Sequence, residues 1–481
     1  SWRALIQPPR MQRAPGNARL TLQSRCAAWR ARPDMREVEQ LIFARWIIPV
    51  EPKGVVLEDH AIAIDQGSIV ELLPAAVARE KYQAATETVL DQHLVTPGLI
   101  NLHTHAAMAL LRGCGDDMAL MDWLEQRIWP LEKALMSEEF VLAGSRLACG
   151  EMLRGGITCF NDMYFFADAT ARAVEEYGMR ACLGITVFEF PSAWAADAEA
   201  YLERGLALRD TLRERPLISF SLAPHAPYTV SDQTFARVIS LAEQIDLPIS
   251  LHLHETTAEI DQEMARSHVR PIERLAGLGL LGPRLIAVHS VHLTQSEIEL
   301  FAHHGVTIAH CPASNLKLGS GIAPIAAALA AGVRVGIGTD GAASNNRLDM
   351  LAEMRLAALL AKGASGNATV FDAHSVLESA TLSAARALML DDKVGSLVAG
   401  KRADLVAFDV SAQDLHPIFD IAAHLVFVLG RECVSDVWVD GDLVVQKRQL
   451  VQRTARQAEA EGASALSLWQ NRLKIQIGSL S

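Results

Sequence analysis

Between residues 97 and 390 the chain alternates in character, and that alternation restricts it to very few folds. Apolar, β-like runs recur at 98–102, 157–161, 181–187, 217–222, 249–253, 285–288, 306–309 and 333–337. Several are followed by stretches with helical spacing, such as 137–154, 232–244, 296–303 and 348–360. Strands alternating with helices imply an α/β fold with a parallel sheet, and eight such units imply closure into a (β/α)8 barrel. The span exceeds the roughly 250 residues typical of that barrel, and the surplus fits long loops, notably 108–137. Shorter β segments bracket the alternating region. One pair flanks the turn Asp65-Gln66-Gly67-Ser68 and another flanks Asp440-Gly441, both good hairpin sequences. Chain termini often lie close together, so the two clusters are expected to pair into one small β-sandwich. The expected organisation is residues 35–95 and 396–450 as the two parts of the sandwich, 96–395 as the barrel and 451–481 as a C-terminal helix.

Composition narrows the class further. Of 481 residues, 50% are hydrophobic and 21% charged, an ordinary globular balance. The net charge of −12 argues against a nucleic-acid partner or an anionic membrane surface. No apolar run approaches the roughly 18 residues of a membrane span; the apolar region 325–338 is cut by Arg334. Seven scattered cysteines with no C-x-x-C pair suit reduced thiols in a cytoplasmic protein, with Cys149, Cys159, Cys182 and Cys311 read as core packing. Residues 1–34 carry seven arginines, no lysine and one acid, and lack hydrophobic periodicity. They are read as an extension outside the fold, with Met35 as the working start; a transit peptide is the alternative. A homo-oligomer is expected, with the apolar helix 348–360 serving as core or interface.

In such barrels the chemistry sits at the C-terminal ends of the strands. The polar residues ending the runs are His103 and His105, Asp162, His225, then His252, His254 and Glu255, then His289 and His292, His310 and Asn315, and finally Asp340. Eight histidines and three acids at one face of one barrel are hard to explain as packing. Residues i and i+2 of a strand share a face, so His103 and His105 can present two imidazoles to one ion. By the same parity either His252 or His254 could be a third ligand. Glu255, where strand becomes loop, could lie beside the ion without binding it, as a proton shuttle needs. Strands eight and one adjoin in a closed barrel, which brings Asp340 near His103 and His105. Three imidazoles and a carboxylate with an open position make a hydrolytic metal centre. No lysine occurs between Lys133 and Lys317, so a two-metal site bridged by a modified lysine is unavailable and a single ion is expected.

Taken together, PGLINLHTHAAMALLRG (97–113), WPLEK (129–133), APHAPYT (223–229), HLHET (252–256), HSVHLT (289–294), HCPASNLKLGSGIAP (310–324) and GTDGAASNN (338–346) resemble the amidohydrolase superfamily. Within it, the chain resembles the 5-methylthioadenosine/S-adenosylhomocysteine deaminases over about residues 38–445, with triazine hydrolases and guanine deaminases as near relatives. The resemblance implies His103, His105, His252 and Asp340 as ligands of one divalent ion, by default zinc. It makes Glu255 the proton shuttle and leaves His254 without a role. His289 would polarise the attacking water or steady the tetrahedral intermediate, and His225 would contact substrate. Glu132 would hold the ribose hydroxyls of a small nucleoside, and Trp123 would line the same pocket.

The expected reaction is hydrolytic deamination at C6 of an adenine nucleoside. The ion lowers the pKa of bound water from about 15.7 to near 7. Asp340 accepts the water's proton, Glu255 protonates ring nitrogen N1, and ammonia leaves with a proton relayed through Asp340. A rival reading keeps the fold and displaces chloride or an amine from a triazine; Glu132 speaks against it, because a triazine has no ribose. A non-catalytic metal-containing binding protein is the rival of another class, and it has no need of a proton shuttle.

Overall fold

Every apolar run of the central region forms a strand in the computed structural model, which describes residues 35–480. The arginine-rich segment 1–34 lies outside the described residues. The N-terminal strands are β1 (Arg36–Ile47), β2 (Leu57–Asp65), β3 (Ser68–Pro74) and β4 (Tyr82–Pro97). The barrel strands follow: β5 (Leu99–Thr104), β6 (Ile157–Asp162), β7 (Arg180–Val187), β8 (Ile218–Pro224), β9 (Ile249–Leu253), β10 (Leu285–His289), β11 (Thr307–His310) and β12 (Arg334–Ile337). They pair in chain order, all parallel. Their residues are almost all buried, as both faces of a parallel sheet must be. The interior is filled: Ile100, Leu102, Cys159, Cys182, Ile286 and Val288 pack against Ala384, Ala385 and Leu388 beneath them. Cys149, Cys159, Cys182 and Cys311 are all fully buried free thiols, in keeping with a packing role.

Side chains help to close the ring. Between β12 and β5, Thr339 donates its N–H to Asn101 Oδ1 at 2.9 Å and receives Asn101 Nδ2 on its hydroxyl at 2.7 Å. Asp340 donates its N–H to the carbonyl of His103 at 3.0 Å. This seam brings the last strand's carboxylate to the first strand's imidazoles.

Four further strands, β13 (Leu405–Asp409), β14 (Val434–Val439), β15 (Asp442–Gln446) and β16 (Gln449–Leu450), complete a second sheet in the order β16-β15-β14-β13-β4-β1-β2-β3. The N- and C-terminal segments meet where β4 runs antiparallel to β13. The two hairpin turns that stand out in the sequence touch tip to tip: a Cβ on Gly441 would fall 2.4 Å from Gly67 Cα. Both glycines also hold positive φ, 70° and 86°, so neither position suits a side chain. Trp438, Ile42, Ile62 and Leu405 form part of the core of this sheet.

The C-terminal helix Arg453–Leu480 lies against the helix Glu138–Arg154, with Trp469 edge-on to Phe140 at 5.2 Å and Arg146 paired to Glu461 at 3.0 Å. On the helix Met350–Ser365, Met350, Leu351, Met354, Ala357, Ala358 and Ala361 are buried and Leu359 is exposed, so its apolar face belongs mainly to the core. No helix among the described residues is long and apolar enough to cross a membrane.

One buried ion pair ties the barrel to the outer sheet. Arg180 at the start of β7 forks onto Asp404 at 2.9 and 3.1 Å, and both residues are 3% exposed. Removing one partner of such a pair strands a desolvated charge. Asp404→Ala is therefore expected to lower the unfolding free energy by about 3–5 kcal/mol, measured by denaturant titration; a loss below 1 kcal/mol on the order of a surface pair would contradict it.

Candidate active site

At the mouth of the barrel the ring nitrogens of three histidines and one carboxylate converge. His103 Nε2 and His105 Nε2 lie 3.4 and 3.2 Å from Asp340 Oδ1, and His252 Nε2 lies 3.2 Å from His103 Nε2. What the other ring nitrogens do decides the chemistry. His105 Nδ1 donates to the carbonyl of Met163 at 2.6 Å, and His252 Nδ1 donates to the carbonyl of His225 at 2.8 Å. Carbonyls only accept, so in both neutral rings the proton sits on Nδ1 and Nε2 turns a lone pair inward. Two lone pairs and a carboxylate aimed at one point repel unless a cation or a proton lies between them. The residues therefore fit a divalent ion held by nitrogen and oxygen donors.

The carboxylate is itself held. Asp340 Oδ2 accepts the hydroxyls of Ser314 and Ser344, at 2.7 and 2.5 Å, and Oδ1 accepts the N–H of Gly341 at 2.8 Å. Burial alone would raise Asp340 and lower His105. Their mutual contact overrides it, keeping Asp340 well below the carboxylate range and pushing His105 up to about 9. The fold is thus built to keep positive charge beside Asp340.

Glu255 and His289 face each other next to this cluster, with His289 Nε2 3.6 Å from Glu255 Oε2. His289 Nδ1 bonds the side-chain oxygen of Asn315 at 2.8 Å, which likewise leaves Nε2 as the inward lone pair. Burial raises the Glu255 carboxyl above its ordinary range, as a proton carrier near neutral pH needs. Backbone strain collects here. His254, His289, Ser290 and Asp340 have φ of 53°, 68°, 50° and 59°, a left-handed conformation that costs on the order of 1–3 kcal/mol per residue and clusters at functional sites.

Above the cluster opens a cleft. His105, His225, His252, His289, Glu255 and Asp340 form its floor, and Trp123, Glu132, Tyr164, Phe165, Phe188 and Tyr228 stand in its walls. Glu132 comes from the helix Trp129–Leu135, and Tyr164 donates its hydroxyl to Glu132 Oε1 at 2.8 Å. Burial pushes the Glu132 carboxyl up to about 7 against that hydrogen bond, which lowers it. Trp123 is 5% exposed, and its buried indole N–H has no partner among the described residues. His225 stacks on Phe188 at 4.6 Å, with Nδ1 3.1 Å from the Thr229 hydroxyl.

Of the site residues read from the sequence, Trp123, Glu132, His105, His225, His252, Glu255, His289 and Asp340 line one cleft, and His103 is fully buried against Asp340 and His252. Three other strand-end histidines stand apart from this group. The left-handed turn at His254 rotates its ring out of the period-two alternation, toward Glu297 and Arg270, which leaves His252 alone facing the cluster. His292 bonds the carbonyl of Ser320, and His310 is a buried residue outside the cleft. Asp162 accepts the N–H of Ala106 at 2.7 Å and so anchors the turn after His105. Nothing in the residue pattern singles out Tyr164, Ser314 or Ser344. Tyr164 and Ser314 act through hydrogen bonds to Glu132 and Asp340, 32 and 26 positions away, and Ser344 acts on Asp340 four residues before it through a turn that no spacing pattern announces.

Comparison with known proteins fits this geometry. The amidohydrolase family matches residues 94–444. A 5-methylthioadenosine/S-adenosylhomocysteine deaminase from Saccharophagus degradans is 43% identical over 410 residues, 85% of this chain and 92% of that one. A zinc-bound adenosine deaminase from Xanthomonas campestris is 46% identical with a TM-score of 0.89, covering 92% of this chain and 100% of its own. A zinc-bound atrazine chlorohydrolase from Arthrobacter aurescens is 25% identical with a TM-score of 0.82, covering 89% and 100%.

The hydroxyls on Asp340 and the outward-facing bond of His289 lead to different expectations. Ser314→Ala combined with Ser344→Ala should weaken metal affinity about 10- to 100-fold, read by competition with a chelator. His289 Nε2 lies within 4.8 Å of ring nitrogens of His103 and His252 but also faces the Glu255 carboxylate at 3.6 Å, so His289→Ala should leave metal content unchanged. Loss of metal in His289→Ala would make it a ligand instead.

Proposed function

The chain belongs to the amidohydrolase family, and we propose that it is a mononuclear zinc enzyme that hydrolytically deaminates 5′-methylthioadenosine, S-adenosylhomocysteine or both. The observation that carries this reading is one cleft lined by His105, His252 and Asp340 of the cation-demanding cluster, by Glu255 and by the anchored carboxylate of Glu132. The names of relatives at 39–44% identity support the nucleoside, and the zinc of the Xanthomonas campestris structure supports the metal. The same reading keeps a cytoplasmic, self-associating enzyme, the first because its cysteines are scattered thiols.

An ion held by His103, His105, His252 and Asp340 would supply a Lewis acid that makes water a competent nucleophile near neutral pH. The remaining work falls to side chains. Asp340, oriented by Ser314, Ser344 and Gly341, takes one proton of the attacking water and later passes it to the departing ammonia, and the proton left on the C6 hydroxyl returns to Glu255 as the carbonyl forms. Glu255 gives its proton to ring nitrogen N1, so that negative charge does not build on the purine as C6 becomes tetrahedral. His289, oriented by Asn315, faces that reaction zone with Nε2. Glu132, with Oε1 held by Tyr164, accepts the ribose hydroxyls; His225 and Trp123 wall the pocket around the nucleoside. Leu120, Leu124, Ile128, Trp129, Phe165 and Phe188 give the cleft an apolar lining, and its acids are Glu132, Glu255 and Asp340. An uncharged thioether suits such a lining better than an amino-acid tail bearing its own carboxylate.

Ammonia release from 5′-methylthioadenosine by metal-loaded protein is the direct test, with a higher kcat/KM expected than for S-adenosylhomocysteine. Chloride release from a chlorotriazine, with no rate on either nucleoside, would move the reading to a triazine hydrolase. Glu255→Gln should retain metal and lose about 10²-fold or more of turnover; a near-normal rate would remove Glu255 as shuttle. A pH series tests Glu132. Only the ionised carboxylate can accept from both hydroxyls, and it ionises at about 7. KM should therefore fall as pH rises from about 6 to about 8, and Glu132→Gln should raise KM and flatten that dependence.

A further inference from the structure

Two helices of this protein begin with the same spacing, Thr-x-x-Glu, and use it differently. At the helix Gln295–His304, Thr294 caps the N-terminus and Glu297 returns to the N–H of Thr294 itself at 2.8 Å. That is the reciprocal capping box. At the helix Thr257–Ser267, Thr256 caps in the same way, accepting the N–H of Glu259 at 3.3 Å. Glu259 does not return to Thr256. Its carboxylate passes over the cap and accepts the N–H of His254 on Oε1 at 3.0 Å and the N–H of Glu255 on Oε2 at 2.9 Å.

We propose that Glu259 is a positioning residue for Glu255, fixing the backbone from which the shuttle carboxylate reaches the reaction zone. The inference rests on reading Glu255 as the proton shuttle. His254 and Glu255 stand where β9 has ended, and His254 is held left-handed at φ 53°. A strained residue keeps its conformation only when its surroundings over-determine it. Both amide bonds needed there come from one buried side chain, 7% exposed. Glu255 has weak side-chain anchors of its own: the Ser320 hydroxyl at 3.5 Å and His289 Nε2 at 3.6 Å. Its position is therefore set mainly from its backbone. Proton delivery depends on sub-ångström placement, and a 1 Å error can cost about 10²-fold in rate.

The test compares Glu259→Ala and Glu259→Gln with wild type in metal-loaded full-length protein, reading kcat and KM on 5′-methylthioadenosine, metal content, and the solvent deuterium isotope effect on kcat. Glu259→Ala should lower kcat about 10- to 100-fold with KM and metal content unchanged. The isotope effect should rise as proton delivery becomes limiting. Glu259→Gln is isosteric and keeps one acceptor but sets an NH2 against the other amide, so its loss should be smaller. It carries the same test if the alanine variant does not fold. The inference is overturned by a kcat near wild type, by KM or metal content changing in step with kcat, or by an unchanged isotope effect. Glu255→Gln run in parallel separates the two failures. Wild-type turnover there removes the shuttle itself, whereas an inactive Glu255→Gln beside a fully active Glu259→Ala removes only the positioning role.

Discussion

Asp340 donates its backbone N–H to the carbonyl of His103, one residue after Thr339 is gripped by Asn101, so the first and last barrel strands are joined at the level of the site. These bonds register a carboxylate from one end of the barrel sequence against two imidazoles from the other. The distances of 3.2 and 3.4 Å between Asp340 and the His105 and His103 rings follow from that registration. A slip of one residue on β12 would turn Asp340 away, because side chains alternate faces along a strand.

The cluster that results demands positive charge beside Asp340. Carbonyls on the far side of His105 and His252 fix which ring nitrogen carries the proton, so inward lone pairs meet a buried carboxylate. That repulsion is relieved by positive charge, either a bound cation or a proton on His105, so an ion and a proton compete for the same place. The surrounding hydroxyls of Ser314 and Ser344 and the amide of Gly341 restrain Asp340 before any ion arrives. Strain in the backbone of His254, His289, Ser290 and Asp340 belongs to the same preorganisation.

Much of this was legible in the sequence for local reasons. Eight apolar runs separated by helical spacing specify the barrel, because a parallel strand buried on both faces must be continuously apolar. H-x-H at the end of one such run places two imidazoles on one face. Parity could not choose between His252 and His254, since both share a face in an ideal strand; the choice came from a left-handed turn after Leu253 that no local pattern announces. Glu132 needed family likeness to stand out, being an unremarkable acid on a short helix until Tyr164 meets it in the cleft.

The sequence by itself determined the order of strands and helices, the turn chemistry at Gly67 and Gly441, and the residue types available at each strand end, because all of these depend on neighbours a few positions away. Only the tertiary structure decided which nitrogens face inward, which strand-end histidines leave the site, and that Glu259 bypasses its own helix cap to hold Glu255. Those outcomes depend on hydrogen bonds whose partners the closed barrel brings together, or on a backbone turn that spacing cannot encode. The pair Thr256–Glu259 and Thr294–Glu297 makes the point: identical spacing, different acceptor use, set by what lies before each cap.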